Sequence, residues 1–140
     1  MSKVAELWLS KRMGVNEVTV LIADDSPKIR ISLTRLIKAR KMEVLLQESA
    51  DVEATIAAVD RQQPDILILD LSMPGGGGFD VLSHIRAKGY ATRVLVLTSY
   101  ASEYNRRKSL KLGTDCFFDK AREFEMALDF LESECLEQCR

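Results

Sequence analysis

Short apolar runs alternate along the chain with longer stretches of helical period. Five runs read as strands: Val18–Ala23, Glu43–Gln47, Ile66–Leu69, Val94–Leu97 and Cys116–Phe118. Three of them are unbroken Val/Ile/Leu runs with no polar alternation, the pattern of parallel strands covered on both faces. The intervening segments read as helices. Ser26-Pro27 offers an N-cap followed by proline at the first helical position, and Ile29, Leu33, Leu36 and Ile37 then recur at helical spacing. Asp51 caps a second helix that runs to about Gln62 and stops before Pro64. Phe79, Leu82 and Ile85 mark a third, ending at Gly89. Ser102 to Leu112 is a fourth, with Gly113 as its stop. Phe124, Leu128, Leu131 and Cys135 share one face of a fifth.

Regular strand-helix alternation predicts an α/β fold, a doubly wound (βα)5 flavodoxin-like unit. Its five-stranded parallel sheet carries helices on both faces, with strand order 2-1-3-4-5. The domain spans 17–140, behind an N-terminal extension at 1–16. In that extension Val4, Leu7 and Trp8, with Lys3, Lys11 and Arg12, have the spacing of a short amphipathic helix. It is expected to pack on the domain or simply to fray, with membrane or partner docking as the alternative, and Met13 offers an alternative start.

The chain of 140 residues suits one domain, and its formal net charge of −1 gives no overall basic footprint for nucleic acid. No apolar run approaches the roughly 18–20 residues that span a bilayer. The N-terminus is too short and too charged for a secretory signal, so a cytoplasmic protein is expected. The odd set of three cysteines, Cys116, Cys135 and Cys139, is not a disulfide framework and reads as reduced thiols. A metal clip at Cys135 and Cys139 is the less favoured alternative.

In an open α/β sheet, ligands bind beyond the carboxyl ends of the strands, where the strand order reverses. Here that point falls between strands one and three. The first strand ends in Asp24-Asp25, the third in Asp70, the fourth in Thr98-Ser99 and the fifth in Asp119-Lys120. Three carboxylates brought together repel one another unless a cation intervenes, and a hard divalent ion such as Mg2+ suits an all-oxygen set. Three carboxylates, one Mg2+ and one lysine sum to zero charge. Asp70, nearest the middle of the sheet edge, is the best candidate nucleophile. Positioning and charge neutralisation, which phosphoryl transfer chiefly needs, are both on offer. The simpler alternative is that these acids only cap strands and helices.

The segments VLIADDSPKIR, DILILDLSMPGGGGFDVL, VLVLTS and CFFDK resemble the receiver domain of two-component response regulators over about residues 17–132. Asp70, Met73-Pro74 and Gly78 also hold that family's spacing. The resemblance implies that Asp25, Asp70 and the main-chain carbonyl of Ser72 bind Mg2+, with Asp24 assisting through water. It implies that Asp70 accepts a phosphoryl group from a phosphohistidine on a histidine kinase or phosphotransfer protein. Thr98 would bond the phosphoryl oxygens. Lys120 would pair with Asp70 at rest and with the phosphoryl group afterwards. Phe117 matches the family's switch aromatic, turning inward as Thr98 moves and reshaping the surface of the fourth helix, fifth strand and fifth helix for a partner. Such a protein is not an enzyme beyond assisting its own phosphorylation and dephosphorylation.

Two positions depart from the family. Ala121 follows Lys120 where proline, often cis, is usual. A cis bond before alanine would cost about 2.5–4 kcal/mol, so either a trans bond or a strained loop is expected. Phe117 lacks the hydroxyl a tyrosine would use, which leaves burial alone to favour its inward rotamer.

Gly75–Gly78 lacks the Gly-Lys-Ser/Thr of a P-loop and reads as a flexible loop, and the lone His84 reads as a surface residue. The fourth helix carries Arg106, Arg107, Lys108 and Lys111. Around the fifth lie Glu123, Glu125, Asp129, Glu132, Glu134 and Glu137. These charges form solvated faces or, alternatively, a complementary homodimer or partner interface. An aspartyl-nucleophile phosphatase would need a second aspartate where Ser72 stands. A flavodoxin-like cofactor binder would want a hydroxyl- and glycine-rich loop in place of Asp24-Asp25-Ser26-Pro27. Because the chain ends soon after its fifth helix, output is expected through a protein partner, with no direct nucleic-acid contact.

Overall fold

A computed structural model describes residues 17–138, together with Ser2 and Ala5; Lys3, Val4, Leu7, Trp8, Lys11 and Arg12 of the amphipathic pattern, and Cys139, lie outside the described residues. Among residues 17–138 five strands and five helices alternate. They are β1 Val18–Ala23, α1 Pro27–Ala39, β2 Val44–Ser49, α2 Val52–Gln62, β3 Ile66–Leu69, α3 Gly78–Ala87, β4 Arg93–Thr98, α4 Glu103–Lys111, β5 Cys116–Asp119 and α5 Phe124–Gln138. All pairings are parallel and the order is β2-β1-β3-β4-β5, as the alternation predicts.

The helix starts follow their caps. The Ser26 hydroxyl accepts the Ile29 N–H with Pro27 opening α1, the Asp51 carboxylate accepts the Ala54 N–H, and the Ser102 hydroxyl accepts the Asn105 N–H. α2 stops one residue before its proline, at left-handed Gln63.

Strand residues alternate between two cores. On one face Val18, Val20, Ile22, Ile66, Ile68, Leu95 and Leu97 meet Leu33 and Ile37 of α1 and Ala127, Leu128, Leu131 and Cys135 of α5. On the other, Leu21, Leu67, Leu69, Val94, Val96 and Phe117 meet Val59 of α2 and Val81, Leu82 and Ile85 of α3. Burial on both faces is why these strands show no polar alternation.

The strands outrun their apolar runs at three places. β2 covers Val44–Ser49 rather than Glu43–Gln47, because Ile22 and Ala23 of β1 pair with Glu48 and Ser49. Glu48 is exposed, and the buried Ser49 hydroxyl is satisfied by that of Thr55 at 2.7 Å, so neither needs to be apolar. β4 gains Arg93 and Thr98, and β5 gains Asp119, since the ladder extends to the Thr98–Asp119 pair. Among the described residues no helix is long and apolar enough to cross a membrane.

Candidate functional site

β1 and β3 lie side by side and both end at the same sheet edge. One carboxylate oxygen from each of Asp24, Asp25 and Asp70 comes within 4.8 Å of the others. Asp24 and Asp70 are buried while Asp25 is exposed. Backbone bonds from Asp24 N–H to the Ser49 carbonyl and from Asp70 N–H to the Ala23 carbonyl continue the sheet into the site. Local bonds then aim the side chains. The Asp24 carboxylate accepts the Ser26 N–H at 2.9 Å; that of Asp70 accepts the Ser72 N–H at 3.3 Å and the Ser72 hydroxyl at 3.1 Å.

Lys120 reaches this cluster from the end of β5. Its Nζ lies 2.7 Å from Asp24 Oδ2 and 3.1 Å from Asp70 Oδ2, so it bridges two carboxylates rather than pairing with Asp70 alone. The Lys120 N–H donates to the Thr98 carbonyl, which ties the lysine's backbone to the end of β4. No peptide bond is cis among the described residues, so Lys120–Ala121 is trans and the lysine is in place without proline. Burial opposes the Lys120 ammonium, but the Asp24 hydrogen bond and the charges of both aspartates outweigh it and raise its pKa. Burial pushes the Asp24 carboxyl above its ordinary value, against the Lys120 and Ser26 hydrogen bonds, and the Asp70 charge adds to the push.

Thr98 is fully buried, with its hydroxyl accepting the Tyr100 N–H at 3.2 Å. Phe117 is 4% exposed, already inward in this structure, with the Arg106 guanidinium 4.8 Å from its ring centre. Gly78 lies where chain packs against chain: a Cβ there would stand 2.8 Å from the Asp70 carbonyl oxygen.

The donor set fits a hard divalent cation. All three candidate side-chain ligands are oxygens, and the exposed Asp25 carboxylate makes no hydrogen bond or ion pair among the described residues.

A family model of the response regulator receiver domain matches residues 20–131. The chain belongs to that family. This receiver is 31% identical over 113 residues to the nitrate/nitrite response regulator protein NarL of Escherichia coli K12, covering 81% of this chain and 52% of that one. It is 36% identical over 120 residues to protein-glutamate methylesterase/protein-glutamine glutaminase 6 of Anaeromyxobacter dehalogenans, covering 86% and 33%. The receiver therefore spans about half, or less, of these curated relatives. Among solved structures, a LuxR-family two-component response regulator from Aurantimonas sp. SI85-9A1 superposes with a TM-score of 0.71 at 26% identity, over 84% of this chain and 86% of that one. The response regulator domain of Thermotoga maritima CheB superposes at 0.75 and 24% identity, over 88% and 97%, and shares the fold. The chain is thus a response regulator receiver domain of two-component signalling.

Other residues singled out in the sequence fall elsewhere. His84 is more than a surface residue: its Nε2 lies 2.7 Å from Asp60 Oδ1, joining α3 to α2, and Tyr90 donates its hydroxyl to the same oxygen at 2.8 Å. Arg106 pairs with Glu123 at 3.5 Å, and Arg107 with Glu103 of its own helix at 3.0 Å. Two of the basic charges on α4 are thereby engaged within the chain. Cys116 is a free thiol whose pKa burial pushes up. Sequence reasoning passed over Arg30, whose guanidinium donates to the Asp24 carbonyl at 2.6 Å and to Glu48 at 3.1 Å. An arginine one turn into a helix looks like any solvated residue until the neighbouring strand end is known.

Proposed function

We propose that this receiver is a phosphoacceptor of a two-component or phosphorelay system, with Asp70 as the acceptor and Mg2+ as its cofactor. The observation that carries the reading is the bridge of Lys120 Nζ across Asp24 and Asp70, beside a third carboxylate at the sheet's switch point. Asp25, Asp70 and the Ser72 carbonyl would hold the ion, with Asp24 assisting; the ion supplies charge neutralisation at the acceptor.

In the transfer, an Asp70 carboxylate oxygen attacks the phosphorus of a phosphohistidine. The new O–P bond forms as the P–N bond breaks, and the imidazole nitrogen keeps the electron pair. Lys120 is placed to follow the negative charge from the carboxylate to the phosphoryl oxygens. The Thr98 hydroxyl, which accepts the Tyr100 N–H, has its own proton to donate to a phosphoryl oxygen. Phe117, packed beneath Arg106, then transmits the change to the α4-β5-α5 surface. That surface takes a downstream protein partner or a second copy of this chain. The phosphodonor is a sensor histidine kinase or histidine phosphotransfer protein.

The test is incubation with a small phosphodonor and Mg2+ followed by intact mass. A single phosphoryl adduct that is lost in Asp70→Asn supports the reading. An adduct retained in Asp70→Asn, or no adduct in the wild-type protein with metal present, refutes it.

A further inference from the structure

Something other than proline must hold the turn that carries Lys120. The residue after the lysine is Ala121, and the bond between them is trans. An alanine leaves that turn free to take many conformations, yet the lysine must arrive within hydrogen-bond reach of two buried carboxylates. The structure contains a bracket that closes around it. The Asp119 carboxylate accepts the Ala121 N–H at 2.9 Å. The Glu123 carboxylate accepts the Asp119 N–H at 3.1 Å, and the Glu123 N–H returns a bond to the Asp119 carbonyl at 2.8 Å. Asp119 and Glu123 therefore exchange two bonds across Lys120 and fix its backbone from both sides.

We infer that Glu123 is a positioning residue for phosphoryl transfer, holding the Lys120 turn where the family usually has proline. It touches none of the reacting groups and acts only through Lys120. The inference rests on the reading of Asp70 as acceptor. Glu123 also meets the Arg106 guanidinium, whose other contacts are the Phe117 ring and the Phe117 carbonyl at 3.4 Å. The lysine turn and the aromatic of β5 thus share one partner on α4. A plain helix-start role is the competing account, since the Glu123 carbonyl accepts the Ala127 N–H at the head of α5.

The experiment compares initial rates of Asp70 loading from a small phosphodonor with Mg2+, read by intact mass, with urea midpoints measured in parallel. Glu123→Ala is expected to load about tenfold more slowly, the scale of losing one charge-assisted hydrogen bond. Glu123→Gln keeps an acceptor oxygen for the Asp119 N–H and is expected to recover most of that loss. On a Lys120→Met background, Glu123→Ala should add less than about a twofold further loss, because residues acting as a unit are not additive. Arg40→Ala cuts the ion pairs to Glu125 and Asp129 at the far end of α1, so it controls for general loosening and should load at the wild-type rate. Three outcomes overturn the inference while wild type still takes an Asp70-dependent adduct. They are wild-type loading in Glu123→Ala, no recovery in Glu123→Gln, and full multiplication of the two losses in the double variant. Absence of that adduct in wild type removes the acceptor reading itself, and the positioning role with it.

Discussion

Replacing Lys120 with methionine is the most direct perturbation of the acidic cluster. The substitution keeps most of the stem and removes one charge. The lost partner stood 2.7 Å from Asp24 and 3.1 Å from Asp70, with the two carboxylate side chains 4% and 2% exposed. At an effective dielectric of about 20, each contact carries roughly 5–6 kcal/mol of gross Coulomb attraction. Desolvation of the three groups opposes most of that. Breaking a buried pair while its partners stay behind typically costs about 3–5 kcal/mol, and the lower end applies here because the cluster opens to water at Asp25. The assay is urea unfolding of wild type and Lys120→Met, each in chelator and in Mg2+. Without metal the variant is expected to be less stable by about 3 kcal/mol. A ligand at ten times its dissociation constant adds about 1.4 kcal/mol. The gain should be larger in the variant, because ammonium and metal compete to neutralise the same carboxylates. A variant within 1 kcal/mol of wild type in chelator would refute the reasoning. So would an equal Mg2+ gain in the two proteins.

Gly78→Ala drives a Cβ to within 2.8 Å of the Asp70 carbonyl oxygen and 2.9 Å of Leu71 Cα, both backbone atoms that cannot swing aside; a loss of about 1–3 kcal/mol in urea unfolding and slower Asp70 loading are expected. The Asp60 carboxyl is held below 3.8, chiefly by its hydrogen bond with His84 and then by that from Tyr90. Its contribution to stability is therefore present above the unfolded value and lost as pH falls through the lowered folded value. The stability gap between wild type and Asp60→Asn should shrink below about pH 4 and be smaller in high salt, as read by denaturation across that range. Burial, with Asp115 and Glu134 nearby, keeps Cys116 protonated, so iodoacetamide at mildly alkaline pH should leave it unmodified in the folded protein and label it in urea, as read by peptide mass.

The fold was legible because the buried strands are nearly unbroken Val, Ile and Leu. β1 and β3 fall where those runs begin and end. The grouping of acids and lysine at the candidate site was legible from topology, since Asp24, Asp25, Asp70 and Lys120 are among the polar residues at the strand ends of one sheet edge. Glu48 and Ser49 escaped because an edge strand needs no apolar residue where its side chain meets water or a hydroxyl partner. The bracket of Asp119 and Glu123 escaped for a different reason. A carboxylate that accepts a backbone N–H four residues away has the same letter as one that faces solvent, and in a run of acids on and before α5 it does not stand out. Arg106 and Arg107 likewise read from the sequence as part of a solvated face or a partner interface, and each has a carboxylate of its own chain in reach.

The one histidine of the chain gives this molecule a built-in spectroscopic handle. Its ring is bonded to Asp60 across α2 and α3 and stands edge-on to Tyr90 at 6.4 Å between centroids. A proton spectrum holds a single pair of imidazole carbon-bound resonances, assigned without mutagenesis. Tyr90 stands close enough to shift them by its ring current. Any sliding of α3 against α2 when Asp70 is loaded would move both lines in a protein with no label attached, and a scaffold that keeps those helices fixed would leave them where they are.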